Sequence, residues 1–219
     1  MNIQKLFTDK DKKAVADALI SVEAVTSGEI VPVVTEESGH YKSVELWFSV
    51  AIAYCAALAA YAGLVIFADK LSLYLPVHEQ WLLLSIHIIG FACGLLLMRI
   101  SRLKSLFIFK RLSEKRVYDA ALLAFYEQGL YKTRDRTGIL IYVSLLERRV
   151  LVLGDTGINE KVKQEQWDGV VKLIVDGIRN GNIAQGIIAG ILSCKEMLTT
   201  HFPVKPDDTN ELKDDLVIR

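Results

Sequence analysis

Two stretches without a charged side chain, residues 46–68 and 80–98, constrain this chain more than anything else in it. About 20 helical residues at about 1.5 Å each cross a hydrocarbon core of about 30 Å. Trp47 and Trp81 lie near the starts of the two runs, where indole rings anchor at a membrane interface. A pair of buried core helices is the competing reading, but two such runs joined by the short segment 69–79, with Pro76, would swamp a small core. The expectation is a transmembrane hairpin over residues 44–100. Arg99, Arg102, Lys104, Lys110, Arg111, Lys115 and Arg116 follow the second run, whereas the connecting segment offers only Lys70. Positive charge stays in the cytoplasm, so both termini are expected there and the loop outside.

Within the runs, Gly90 and Gly94 are four residues apart, as are Ala56 with Ala60 and Ala59 with Gly63. Small residues at this spacing let helices approach closely. The plain use is packing of the two spans on each other; a homodimer through Gly90 and Gly94 is the other use. His87 falls near mid-span with no carboxylate in either run, which favours hydrogen-bonded packing, with Tyr54 or Tyr61, over a proton relay. Residues 106–111 (LFIFKR) are basic and apolar and suit the membrane surface.

The rest of the chain reads as α/β. Residues 138–144 and 150–153 are short apolar runs joined by the charged turn Glu147-Arg148-Arg149, the signature of two strands in a hairpin. Asp155-Thr156-Gly157 breaks the second of them. Residues 29–34 form a third run, read as a parallel neighbour of 139–144 in one sheet; Pro32 removes a ladder donor, so this strand lies at an edge or pairs unevenly there. Their near-continuous hydrophobicity suggests a sheet buried on both faces. Residues 8–24 read as a helix capped by Thr8 and stopped by Gly28, with Ala14, Val15, Ala18, Leu19 and Val22 inward. A helix over 113–128, closed by Gly129, is the return crossover, expected right-handed. Asn159 and Asn182 are candidate caps for two last helices, where Gly186 and Gly190 imply close packing against the sheet. Residues 206–219 read as a polar, acidic tail with few contacts.

The divisions expected are therefore residues 1–43 with 101–203 as one discontinuous α/β domain, 44–100 as a hairpin with spans near 46–68 and 80–98, and 204–219 as a tail. Lys+Arg and Asp+Glu are 26 each, a balance that argues against nucleic-acid binding. The three cysteines, Cys55, Cys93 and Cys194, form no CxxC pair, which argues against a disulfide scaffold or a zinc site. The N-terminal segment has no apolar run after its charges, so no cleaved signal peptide is expected.

No P-loop, HExxH, GxSxG or GxGxxG pattern occurs. His40, His78, His87 and His201 are scattered without a spaced partner for a metal. Cys194 lies in an apolar helical run and reads as an inert core thiol rather than a nucleophile. The strand directions place Glu29, Arg136, Thr137 and Asp155 at one edge of the sheet, the edge away from the membrane. Glu29 and Asp155 could give hard oxygen ligands to Ca²⁺ or Mg²⁺, with carbonyls and water. Arg136, with Thr137, could hold a carboxylate or phosphate. The alternative is that Asp155 caps the turn at Gly157 and Arg136 pairs with Asp155 or Glu29.

Several of these stretches together resemble one family: Thr26-Ser27-Gly28-Glu29-Ile30, residues 133–141, residues 147–158, Trp167, His201-Phe202-Pro203 and residues 206–212. The chain is similar to the TPM domain family, and to a bacterial, membrane-embedded branch of it. The resemblance covers nearly the whole chain and implies a three-layer α/β/α sandwich, here interrupted by the hairpin, in a bacterial inner membrane. It also implies two function classes, because acid phosphatase activity and divalent-metal binding have been attributed to some members while others look like partner-binding modules. The expected function is a membrane-anchored partner-binding or assembly and maintenance module, with dependence on Ca²⁺ or Mg²⁺ left open. The alternative is a metal-assisted acid phosphatase. No catalytic residue is assigned and no organic cofactor is expected; the expected partners are the bilayer and a protein.

Overall fold

The computed structural model describes residues 3–71 and 79–219. The chain divides into two compact units, Met1–Gly39 with Lys110–Arg219, and His40–Phe109.

The first unit begins with helix α1 (Asp9–Glu23). Thr8 caps it, its Oγ1 accepting from the Asp11 N–H at 3.2 Å while the Asp11 carboxylate accepts from the Thr8 N–H at 2.9 Å. This reciprocal pair satisfies two donors that a helix start leaves orphaned. Val15, Ala18, Leu19 and Val22, spaced by three and four, are its buried stripe. The helix ends at Ala24 in right-handed conformation, so Gly28 is not its stop. Strand β1 (Glu29–Thr35) follows, then, beyond the second unit, helix α5 (Lys110–Glu127), strands β2 (Gly138–Ser144) and β3 (Arg149–Gly154), and helices α6 (Thr156–Asn159), α7 (Gln164–Arg179) and α8 (Ile183–His201). A two-residue strand β4 (Val217–Ile218) closes the chain.

The sheet order is β3-β2-β1-β4. Strand β1 runs parallel to β2 with Glu29 opposite Gly138, and β2 runs antiparallel to β3. Every residue of β1 and β2 is buried. The pleat sends Ile30, Val34, Ile139, Ile141 and Val143 to a core shared with α1, α7 and α8. It sends Val31, Val33, Leu140 and Tyr142 to the opposite face, where Val117, Ala121, Ala124 and Phe125 of α5 cover them. The unit is a mixed α/β fold with helices on both faces of a four-stranded sheet.

Four sequence expectations are corrected here. Strand β1 is interior rather than at an edge, because the C-terminal segment returns to pair Val217 and Ile218 with Val33 and Val34. Its register with β2 runs unbroken through Pro32, which stands opposite Ile141. The Glu29 N–H reaches β2 through Thr137 O while the Ile30 N–H turns the other way to Glu23, so by alternation the nitrogen of Pro32 faces the β4 side, one residue before β4 pairing begins. Segment 204–219 is therefore no loose tail. Asn159 does not cap the helix that holds Trp167: it is the last residue of α6, which Asp155 caps by accepting from the Thr156 N–H at 2.7 Å, and α7 starts after Lys163. Gly186 and Gly190 pack against α7 rather than the sheet; a Cβ on Gly186 would lie 2.8 Å from Ile174 O, and one on Gly190 2.6 Å from Ile174 Cγ1. Asn182 does cap α8, accepting from the Gln185 N–H at 3.2 Å.

The second unit holds α2 (Lys42–Leu71), α3 (Glu79–Leu97) and α4 (Ser101–Phe107). Its small residues set the helix approach. A Cβ on Gly90 would lie 2.9 Å from Ala53 Cα, and one on Gly94 2.5 Å from Ser49 Cα. The glycine pair thus faces α2 of the same chain. His87 Nδ1 lies 2.9 Å from Leu83 O, and its ring meets Tyr54 edge-on at 5.8 Å. Among the described residues one stretch, Lys42–Gly63 of α2, is long and apolar enough by length and composition to cross a membrane; the apolar stretch of α3, Trp81–Leu97, is shorter. The connecting segment with Pro76 and His78 lies outside the described residues, apart from its ends in α2 and α3. Residues 106–111 take in the end of α4 at Phe107, an extended Ile108 and the start of α5 at Lys110.

Candidate functional site

The N-terminal ends of β1 and β2 and the C-terminal end of β3 meet at one edge of the sheet, and this positions the four candidate residues. Thr137 is structural in its contacts: its Oγ1 donates to Ser27 O at 2.7 Å, and its N–H donates to Thr133 Oγ1 at 3.0 Å. Arg136 takes a left-handed backbone, with φ of 59°. Its Nε lies 3.3 Å from Asp155 Oδ2, and its Nη1 donates to Tyr131 O. Asp155 caps α6 through Oδ1. Gly157 lets this corner close, since a Cβ there would sit 2.6 Å from Asp135 O and 2.8 Å from Arg136 O.

The edge does not gather Glu29 with Asp155. Gly138 stands opposite Glu29 in the register, and its carbonyl takes the Asp155 N–H at 2.9 Å. A Cβ on Gly138 would run into the Leu130 carbonyl, so backbone of the 3-10 turn Leu130–Lys132 covers the sheet between the two carboxylates.

Glu29 belongs instead to a second cluster. It is 7 % exposed, with Oε1 accepting from the Glu211 N–H at 3.2 Å and Oε2 unpartnered. It lines a cleft of about 270 Å³ together with Glu23, Thr26, Asp208, Asn210 and Asp214. Glu23 ends α1 and accepts from the Ile30 N–H at 3.0 Å; Asp214 accepts from Asn210 Nδ2 at 2.9 Å on each oxygen. Burial pushes the Glu23 carboxyl up to about 9, helped by the adjoining Asp214 carboxylate. Burial also raises the Glu29 carboxyl, against the lowering effect of the Glu211 and Leu212 N–H groups. Arg134 draws the C-terminal segment to this edge: its N–H donates to Glu211 Oε2 at 3.0 Å and its Nη1 to Asp207 Oδ2 at 3.0 Å. Lys205 adds an ion pair to Asp135 at 2.6 Å. Among the described residues no three His, Cys, Asp or Glu side chains already stand close enough to hold an ion.

Sequence reasoning missed Glu23, Asp208 and Asp214. The acidic run at 206–215 was the available signal, but a run of charges in a tail reads as solvated. Cys194 is a core thiol: it is fully buried, its Sγ meets Gly190 O at 3.3 Å, and burial pushes its ionisation up to about 12.

One family profile and one solved structure are similar to this chain. Residues 106–197 match the TPM domain profile. The solution NMR structure of the BA42 protein from the psychrophilic bacterium Bizionia argentinensis is similar in fold, with a TM-score of 0.59 at 21% identity over 97% of this chain and 95% of that one. No curated protein matches the chain. The matched segment spans α5, the β2–β3 hairpin, α7 and most of α8, which are the core of the described sheet and its layers. The chain carries a TPM domain match over residues 106–197.

Proposed function

We propose that this TPM domain protein is anchored in a bacterial inner membrane by a two-span hairpin, with both termini cytoplasmic, and that it works as a partner-binding or assembly module. The observation that carries the anchoring is the exposed apolar surface of α2. Trp47, Tyr54, Leu58, Tyr61, Val65 and Ile66 are exposed along it, and water does not favour so long an apolar helix. The second span is α3, whose apolar stretch Trp81–Leu97 packs on α2 through Gly90 and Gly94. Partner binding is supported by the outward side of α5, where Tyr118, Leu122 and Tyr126 recur at four-residue spacing and are exposed. Dependence on a divalent ion belongs to the same reading.

The experiment is a phosphomonoesterase assay on the detergent-solubilised chain, with and without Ca²⁺ or Mg²⁺ and with Asp155→Ala as control. No hydrolysis above a mock preparation is expected. Hydrolysis that needs the ion and is lost in the variant would replace this reading with a hydrolase.

A further inference from the structure

We propose that the outward face of α5 is the contact face of a homodimer, on which α5 of a second copy of this chain lies antiparallel. The inference rests on the partner-binding reading above and names the partner.

Helix α5 buries one side against the sheet, through Val117, Ala121, Ala124 and Phe125. Its other side carries Arg111, Lys115, Tyr118, Asp119, Leu122 and Tyr126, all exposed. At about 3.6 residues per turn these six fall within about 100° of the helix circumference. The aromatic exposure is large: Tyr118 is 50 % exposed and Tyr126 56 %. Tyr131 widens the patch, its ring 5.4 Å from that of Tyr126. Tyrosine and arginine are the side chains that most often anchor an interface.

The charges say what covers this face. The acids at its margins are already engaged within the chain, Glu114 with Arg149 at 2.8 Å and Glu127 with Arg219. Among the described residues no ion pair engages Arg111, Lys115 or Asp119. Lys115 and Asp119 are four residues apart, a spacing at which helix charges can pair, yet they do not pair with each other. Along the helix the face therefore runs from cationic, at Arg111 and Lys115, to acidic and aromatic, at Asp119, Leu122 and Tyr126.

A copy laid antiparallel meets each half with the other. With the two-fold axis between Tyr118 and Asp119, Tyr126 of one copy stands over Arg111 of the second copy. Lys115 reaches Asp119 of the second copy and lays its stem on Leu122, and the two Tyr118 rings meet at the axis. Symmetry makes every contact twice. The arginine gains cation–π attraction from the tyrosine face. A parallel copy would set like charge on like. A wholly acidic partner would repel Asp119, and a wholly basic one would repel Arg111 and Lys115; a second copy answers both signs.

The test uses the full chain, carrying N-terminal donor or acceptor fluorophores, in phosphatidylcholine vesicles at rising protein-to-lipid ratio. Energy transfer between copies is expected for wild type. Lys115→Asp alone and Asp119→Lys alone should each weaken pairing about tenfold or more. An equal mixture of these two variants should restore it, because one copy then offers two acids where the other offers two lysines; the rescue also shows that both are folded. With Cys55→Ala and Cys93→Ala in place, Tyr118→Cys should join chain to chain under mild oxidation, and Leu123→Cys, which lies off the face, should not. Pairing that ignores both charge variants, or cross-linking through Leu123→Cys in place of Tyr118→Cys, would overturn the α5 interface. A wild-type chain that stays monomeric throughout would overturn the dimer and leave partner binding to a different protein. The phosphomonoesterase assay above tests the partner-binding reading separately, so the two can fail apart.

Discussion

Arg136 Nε stands 3.3 Å from Asp155 Oδ2, and the two do unequal work. Arg136 is half-exposed, so its ion pair is screened by solvent. Asp155 is buried and also caps α6 through the Thr156 N–H. Arg136→Ala should therefore cost below about 1 kcal/mol, whereas Asp155→Ala should cost about 1–2 kcal/mol for the lost cap. Asp155→Asn keeps an acceptor oxygen and should fall between them. Denaturant unfolding of the detergent-solubilised chain measures all three, and equal costs for the two alanine variants would contradict the division of roles.

Helix packing between α7 and α8 gives a contrast between glycines. A Cβ on Gly186 would press on Ile174 O and on the backbone of Gly177, so Gly186→Ala should destabilise by about 1–3 kcal/mol. Gly169, inside α7, has nothing within 4 Å of a built Cβ, and Gly169→Ala should stabilise by about 0.5–1 kcal/mol through helix propensity. Thermal unfolding of the two variants side by side reads both signs. A neutral Gly186→Ala would mean that the helices separate easily.

Most of the sheet was legible because its signals are local. Runs such as Ile139 to Val143 have one reading in a short segment bounded by turn residues, and Thr8 and Asn182 announce their helices from one position. The pairing of Glu29 to Val34 with the β2 run was legible too, since the direction of each strand follows from the hairpin and the crossover. What stayed hidden is long-range or depends on backbone detail. Val217 and Ile218 are too few to read as a strand, and only the β1 edge left beside Pro32 gives them a partner. Glu29 and Asp155 were placed correctly at one edge, but nothing local says that the backbone at Leu130 comes between them. The partners of Glu29 lie up to 185 residues away in the chain (214 − 29), and each of those acids alone looks solvated.

The raised Glu23 carboxyl has a pH consequence. Its value moves from 4.5 to about 9 on folding, chiefly by burial and then by the Asp214 carboxylate. The folded chain therefore holds a proton that the unfolded chain releases. The associated stability is fully present below 4.5 and is lost as pH rises toward about 9. In chelator-treated buffer, wild type should lose stability between these limits more steeply than Glu23→Gln, whose amide does not titrate. Parallel pH profiles for the two proteins would count against the assignment.

The anchoring of the domain is tested most directly by topology. One reporter is placed in the connecting segment after Pro76 and another after Arg219, in separate fusions of the full chain. A TPM domain carried on a two-span hairpin, with the basic residues from Arg99 to Arg116 retained inside, predicts an external signal from the first fusion and a cytoplasmic signal from the second. Reporters on the same side of the membrane, or a chain that leaves the membrane fraction in alkaline carbonate, would contradict it.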